Sequence, residues 1–182
     1  TAEGLKVLEF NVRLGDPEAQ VVLPLLDADW PAVFADVAAG ELDPGAVRPL
    51  PGACVAVVAA TRNYPYGKSD PAVLEGLERP HRHGLIQHAR LPDGRCAPPL
   101  AAVYFAGVAR DPDPLPSGTQ WGLIGVDCRN YFIEPEGVRF MASGGRVLAA
   151  SARGDDLSQA RRLAYETLGN IHFAGMQFRT DI

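Results

Sequence analysis

Three polar side chains near the beginning of the chain, Glu9, Asn11 and Arg13, recur at a spacing of two, interleaved with Leu8, Phe10 and Val12. That alternation predicts a strand over 5–13, its apolar residues packed and its polar residues on one side. A carboxylate and an amide oxygen so placed are hard donors of the kind Mg²⁺ takes, and that ion commonly completes its shell with substrate phosphates. An Arg next along the same side can stabilise charge on a phosphoryl or acyl phosphate group in transfer. The plainer reading of the same three residues is an exposed strand side with a local Glu–Arg pair.

Directly after them stands Gly15-Asp16-Pro17-Glu18. On propensity this is a helix start, with Asp16 as cap, Pro17 at the first helical position, and Glu18 and Gln20 in the first turn. Val21, Val22, Leu25 and Leu26 supply its buried stripe, and Pro24 should kink or end it early. A second helix should start at Asp29-Trp30-Pro31 and run to about Ala39, with Ala32, Val33, Phe34 and Val37 inward and Gly40 as its stop. Residues 43–52 hold three Pro and two Gly, the best boundary in the chain. Beyond it, short strands are expected over 54–61, 85–90, 102–108, 121–126, 138–142 and 147–151, with a turn at 64–68 and a short helix over 71–78. Strands this short and close predict an antiparallel sheet or small barrel-like domain. The clearest helix follows, capped by Asp155 or Asp156, with Leu157, Ala160, Leu163, Ala164, Leu168 and Ile171 on one side. The tail after it could return as a strand.

Composition narrows the class. The 182 residues are 47% apolar, enough for a sizeable core, and the net charge of −5 argues against a nucleic-acid or anionic-membrane surface. No apolar run approaches the ~18 residues of a membrane span, and no signal peptide is expected at Thr1-Ala2-Glu3-Gly4. The absence of an initiator Met suggests a processed, excised or truncated chain. Three widely spaced Cys (Cys54, Cys96, Cys128) fit a reducing, cytoplasmic setting and give neither a disulfide framework nor a zinc site. His81, His83 and His88 lack partners at metal-binding spacing and read as loop residues.

The ten-residue string Glu9-Phe10-Asn11-Val12-Arg13-Leu14-Gly15-Asp16-Pro17-Glu18 resembles the last motif of the ATP-grasp ligases, in the form found in the phosphoribosylamine–glycine ligase (glycinamide ribonucleotide synthetase) family. A second resemblance lies far downstream: Ser143-Gly144-Gly145-Arg146-Val147-Leu148, Gly154-Asp155-Asp156, Ile171-His172-Phe173-Ala174-Gly175-Met176 and Arg179-Thr180-Asp181-Ile182 are similar to the carboxyl-terminal domain of the same ligases. Two departures stand between them. Thr61-Arg62-Asn63-Tyr64-Pro65-Tyr66 replaces a Gly-rich Ser-Gly-Gly-Tyr-Pro-Gly turn, and the segment 110–136 is longer than usual.

The resemblance implies an α+β fold: a terminal strand–helix piece of an ATP-grasp domain over 1–45, then a small, mostly antiparallel β domain with a carboxyl-terminal helix over 46–182. It implies a carboxyl-terminal fragment of an enzyme that joins glycine to 5-phosphoribosylamine through glycyl phosphate, using ATP and Mg²⁺ or Mn²⁺, in de novo purine biosynthesis. Its partners would be those substrates and the remainder of the same enzyme; the fragment alone should be inactive. Glu9 and Asn11 would be metal ligands, Arg13 catalytic, and Asp16, Glu18 and Arg146 substrate-binding. The Gly144-Gly145-Arg146 string also reads as a tight hairpin turn with a surface Arg, and Arg179 with Asp181 as a structural pair. The rival functions are a non-catalytic binding module on this fold and another ATP-grasp carboxylate–amine ligase, such as a biotin carboxylase-like enzyme.

Overall fold

A computed structural model describes residues 4–77, 86–90, 96–111, 122–126, 129–133 and 139–182. In chain order its elements are α1 (Glu18–Val22), β1 (Leu26–Asp27), α2 (Trp30–Ala39), β2 (Arg48–Pro49), β3 (Ala53–Ala60), β4 (Ala72–Val73), β5 (Ile86–Arg90), β6 (Cys96–Phe105), β7 (Val108–Asp111), β8 (Gly122–Val126), β9 (Arg129–Ile133), β10 (Arg139–Ala142), β11 (Arg146–Gly154) and α3 (Leu157–Leu168). Six strands form one antiparallel sheet in the order β3-β11-β6-β5-β9-β8, three form a second in the order β4-β10-β7, and β1 pairs with β2.

Small residues make the centre of the large sheet. From Val147 to Ala152 every residue of β11 is buried, so the strand is covered on both sides. Leu148, Ala150 and Ala152 of β11, with Val55, Val57 and Ala59 of β3, face Ala160, Ala164 and Leu168 of α3 and the fully buried Phe173. Alanine on both the strand and the helix lets the two backbones approach closely, which keeps the interior dense. The opposite side of β11 carries Ala149, Ser151 and Arg153 and packs against residues 16–25. Strand alternation sets this division: one period-two set meets α3, the other the amino-terminal segment.

The predicted carboxyl-terminal helix forms with Asp156 as its cap, its carboxylate accepting from the Gln159 amide at 2.8 Å. Of its expected inner residues, Ala160, Ala164, Leu168 and Ile171 are buried and Leu157 is exposed. The second helix also forms where expected: Asp29 accepts from the Ala32 amide and Gly40 closes it at φ 75°. Its packing differs from the expectation, because only Val33 is buried and Phe34 and Val37 face outward.

Four expectations are corrected. Residues 5–13 form no strand; they join no ladder among the described residues, and Leu8, Phe10 and Val12 are 97%, 83% and 92% exposed. A strand needs a neighbour for its backbone N–H and C=O groups, and no described segment offers one. Residues 71–77 are not helical: Ala72–Val73 pairs with β10, the Leu74 amide donates to the Phe140 carbonyl, and Glu75 bridges His172. Sheet pairing at long range here overrides helical propensity. The tail contributes only isolated bridges, Gln177 to Ala60 and His172 to Glu75, rather than a strand. The Gly144-Gly145 turn is no hairpin, since it passes the chain from β10 in one sheet to β11 in the other.

The other expected strands form, with β6 and β7 divided at Ala106-Gly107 and β9 added. His81, His83, Cys128 and most of 110–136 lie outside the described residues, as do the side chains of His88 and Cys96. Among the described residues no helix is long and apolar enough to cross a membrane.

Candidate functional site

The two predicted metal ligands lie side by side. The Asn11 side-chain amide donates to Glu9 Oε1 at 2.9 Å, so residues two apart project to one side even without a sheet. Both are exposed. Arg13 extends along the chain, its guanidinium 3.4 Å from the Leu14 carbonyl. Among the described residues no three His, Cys, Asp or Glu cluster as a metal site, so Glu9 and Asn11 are a two-donor set. That set fits Mg²⁺, which keeps several waters and takes one or two protein oxygens beside substrate phosphates.

The turn that follows is held by its own side chains. Glu18 folds back so that its carboxylate accepts the Gly15 N–H at 2.7 Å. A Cβ on Gly15 would lie 2.7 Å from that carboxylate, so a larger residue here would push the Glu18 side chain aside. Pro17, not Asp16, takes the cap position of α1, and no side chain caps it. Asp16 instead accepts from the Gln20 side-chain amide at 2.8 Å. It also meets Arg146: one guanidinium nitrogen donates to the Asp16 carbonyl at 2.7 Å, and the other lies 3.4 Å from its carboxylate. Of the predicted site residues, then, Glu9 meets Asn11, and Asp16 meets Arg146, 130 positions away in sequence.

Arg146 is delivered by a tightly clamped turn. The Thr61 N–H donates to the Gly145 carbonyl at 2.8 Å, and its hydroxyl lies 3.3 Å from the carbonyls of both Gly144 and Gly145. The Gly107 N–H donates to the Arg146 carbonyl. A Cβ on Gly144 would lie 2.7 Å from Gly107 Cα, and one on Gly145 would lie 2.6 Å from the Tyr64 ring. The replaced loop Thr61–Tyr66 is therefore part of the support under Arg146.

Sequence reasoning missed two further contacts from the same strand. Ser151, buried, donates to the Gln20 carbonyl at 2.6 Å, and Arg153 reaches the Pro24 carbonyl at 3.3 Å. The available signal was faint: a Ser and an Arg two apart in an alanine-rich strand. Cys54 joins this contact, with its sulfur 3.4 Å from the Ser151 hydroxyl and 3.8 Å from the Gln20 carbonyl. Burial pushes its thiol above the ordinary value, more than the Ser151 hydrogen bond lowers it. At the other end, Arg179 and Asp181 form the structural pair expected, with two bonds of 2.9 and 2.7 Å. Arg179 holds the Asp181 carboxyl below the usual carboxylate range.

Comparison with known proteins covers the whole of this arrangement. A relative from Leifsonia xyli named phosphoribosylamine–glycine ligase is 34% identical over 184 aligned residues, covering 100% of this chain and 35% of that protein. One of the same name from Mycobacterium leprae is 37% identical, covering 100% of this chain and 33% of its own length. The crystal structure of phosphoribosylamine–glycine ligase from Thermotoga maritima superposes with a TM-score of 0.62 at 28% identity, over 97% of this chain and 33% of that one. The chain thus spans about a third of the length of the curated relatives it matches. The family description "Phosphoribosylglycinamide synthetase, C domain" matches residues 54–182, and with these relatives across its full length the chain belongs to the phosphoribosylamine–glycine ligase family.

Proposed function

We propose that this chain is the carboxyl-terminal part of a phosphoribosylamine–glycine ligase, which joins glycine to 5-phosphoribosylamine at the expense of ATP in purine biosynthesis. The observation that carries the reading is the Glu9–Glu18 string, with Glu9 and Asn11 in contact, on the amino-terminal side of the family's C domain at 54–182. Residues 1–45 are then the end of an ATP-grasp domain and 46–182 the carboxyl-terminal domain. The bare apolar side chains Leu8, Phe10 and Val12 support this, because a strand in a longer ligase would bury them against neighbouring strands. A cytoplasmic location belongs to the same reading.

Glu9 and Asn11 would hold Mg²⁺ or Mn²⁺, whose charge screens the repulsion between a triphosphate and the glycine carboxylate. Arg13, with its guanidinium engaged among the described residues only to a neighbouring carbonyl at 3.4 Å, would steady the charge on glycyl phosphate and on the departing phosphate. Attack by the amine of phosphoribosylamine on the glycyl carbon then releases phosphate and forms the amide. Asp16 and Glu18 lie at the end of this segment, where their carboxylates can orient substrate amine or ribose groups; Arg146 reaches the same end through Asp16.

In the full-length ligase, Glu9→Ala or Asn11→Ala should lower turnover on the order of 10²-fold or more. Stability should change little, because both side chains are exposed. Near-normal turnover at saturating Mg²⁺ would refute the ligand assignment. A wild-type ligase that binds ribonucleotide but shows no glycine-dependent ATP cleavage would favour the non-catalytic module instead.

A further inference from the structure

We propose that Arg146 is a positioning residue: it clamps the Gly15-Asp16 turn to the carboxyl-terminal domain and so fixes the end of the segment that carries Glu9, Asn11 and Arg13. The kinetic consequence rests on the ligase reading; the clamp itself does not.

The clamp is visible as a series. Three side chains of β11 donate to main-chain carbonyls four residues apart: Arg146 to Asp16, Ser151 to Gln20 and Arg153 to Pro24. Gln20 lies in α1, Asp16 just before it and Pro24 just after it, and β11 supplies a donor to each of the three carbonyls. Arg146 stands at the head of the series and makes two contacts to Asp16, one to its carbonyl and one to its carboxylate. Its base cannot drift, because Thr61, Gly107 and the Tyr64 ring enclose the Gly144-Gly145 turn. The Gly15 and Ala19 amides, bonded to Glu18 and to the Gly15 carbonyl, complete the turn that Arg146 holds. Since Arg13 is two residues from Gly15, freedom at the turn passes directly to the candidate site. An exposed ion pair alone would contribute little; the bond to the main-chain carbonyl is what constrains the backbone.

Two measurements test this. In the 182-residue chain, hydrogen exchange should show the Gly15 and Ala19 amides exchanging about ten-fold faster in Arg146→Ala, with α3 and 147–152 unchanged. Arg146→Lys, which keeps one donor, should restore most of the protection and serves if the Ala variant loses protection throughout. In the full-length ligase, Arg146→Ala should lower kcat on the order of 10-fold and raise the Mg²⁺ needed for half-saturation. The KM of each organic substrate should stay within about two-fold, with recovery in Arg146→Lys. Unchanged exchange at 15–19 in both variants overturns the clamp. So does a rise confined to the KM for phosphoribosylamine, which would mean that Arg146 touches substrate. A wild-type ligase inactive with glycine removes the ligase reading while the exchange result still decides the clamp.

Discussion

Residues 54–182 and residues 4–45 treat the same kinds of side chain in opposite ways. In the first stretch Val57, Val147, Leu148, Leu168 and Phe173 are all but inaccessible to solvent. In the second, Leu5, Leu8, Phe10, Val12, Phe34 and Val37 stand in it. Both stretches carry apolar residues at regular spacing; among the described residues only the first has a surface that buries most of them. The contrast separates local from non-local structure. The helix α2 forms despite poor packing, because its bonds, its Asp29 cap and its Gly40 stop all lie within its own sequence. The 5–13 segment forms no strand, because a strand's bonds must come from elsewhere. What ties the exposed stretch to the buried one is polar: the carbonyls of Asp16, Gln20 and Pro24 on the side chains of β11.

The largest test of the contrast is a matched pair of truncations. Phe173→Ala should destabilise the chain by about 3–5 kcal/mol, whereas Phe10→Ala should stay within about 0.5 kcal/mol. Denaturant midpoints of the 182-residue chain measure both, and a comparable loss at Phe10 would mean that the amino-terminal stretch packs after all. Next in size, Ser151→Ala removes the donor from a part-buried carbonyl and should cost about 1–3 kcal/mol; no shift in midpoint would show that the Gln20 carbonyl finds another partner. Smaller again are the two helix caps. Asp156→Ala should lower global stability by about 1 kcal/mol, while Asp29→Ala should speed amide exchange in α2 and leave the midpoint almost in place.

The smallest effects concern titration. Asp181 sits below the ordinary carboxylate range because Arg179 holds it. Its contribution to stability is therefore present above the usual carboxylate pKa and fades as pH falls through the lower folded value. An NMR titration of the Asp181 carboxyl should show that lowered midpoint, abolished in Arg179→Ala. The Cys54 thiol moves the other way. Burial raises its pKa, so its contribution is present below the ordinary thiol value and is lost as pH rises through the folded one. Alkylation of the Cys54 peptide at mildly alkaline pH should be slow in the folded chain and fast after unfolding; equal rates would contradict the burial.

The alternation at 7–13 correctly placed Glu9 and Asn11 on one side, and the Asp-x-x signals correctly placed two helices, because both patterns act over a few residues. The short strand at 72–73 could not be read, since the Phe140 carbonyl that captures the Leu74 amide is remote in sequence. Asp16 shows the same limit at one residue. Its type suggested a cap, but the cap position falls on Pro17, and Asp16 takes partners at Gln20 and Arg146.

By itself the sequence determined the residue types available at the candidate site, the two well-capped helices and the family, because motifs and caps are local in the chain. The tertiary structure alone decided which apolar residues are covered, how the Gly144-Gly145 turn crosses between sheets, and that Arg146 reaches Asp16. Those outcomes depend on which distant segments lie side by side, and that is settled only when β3, β6 and β11 align their registers.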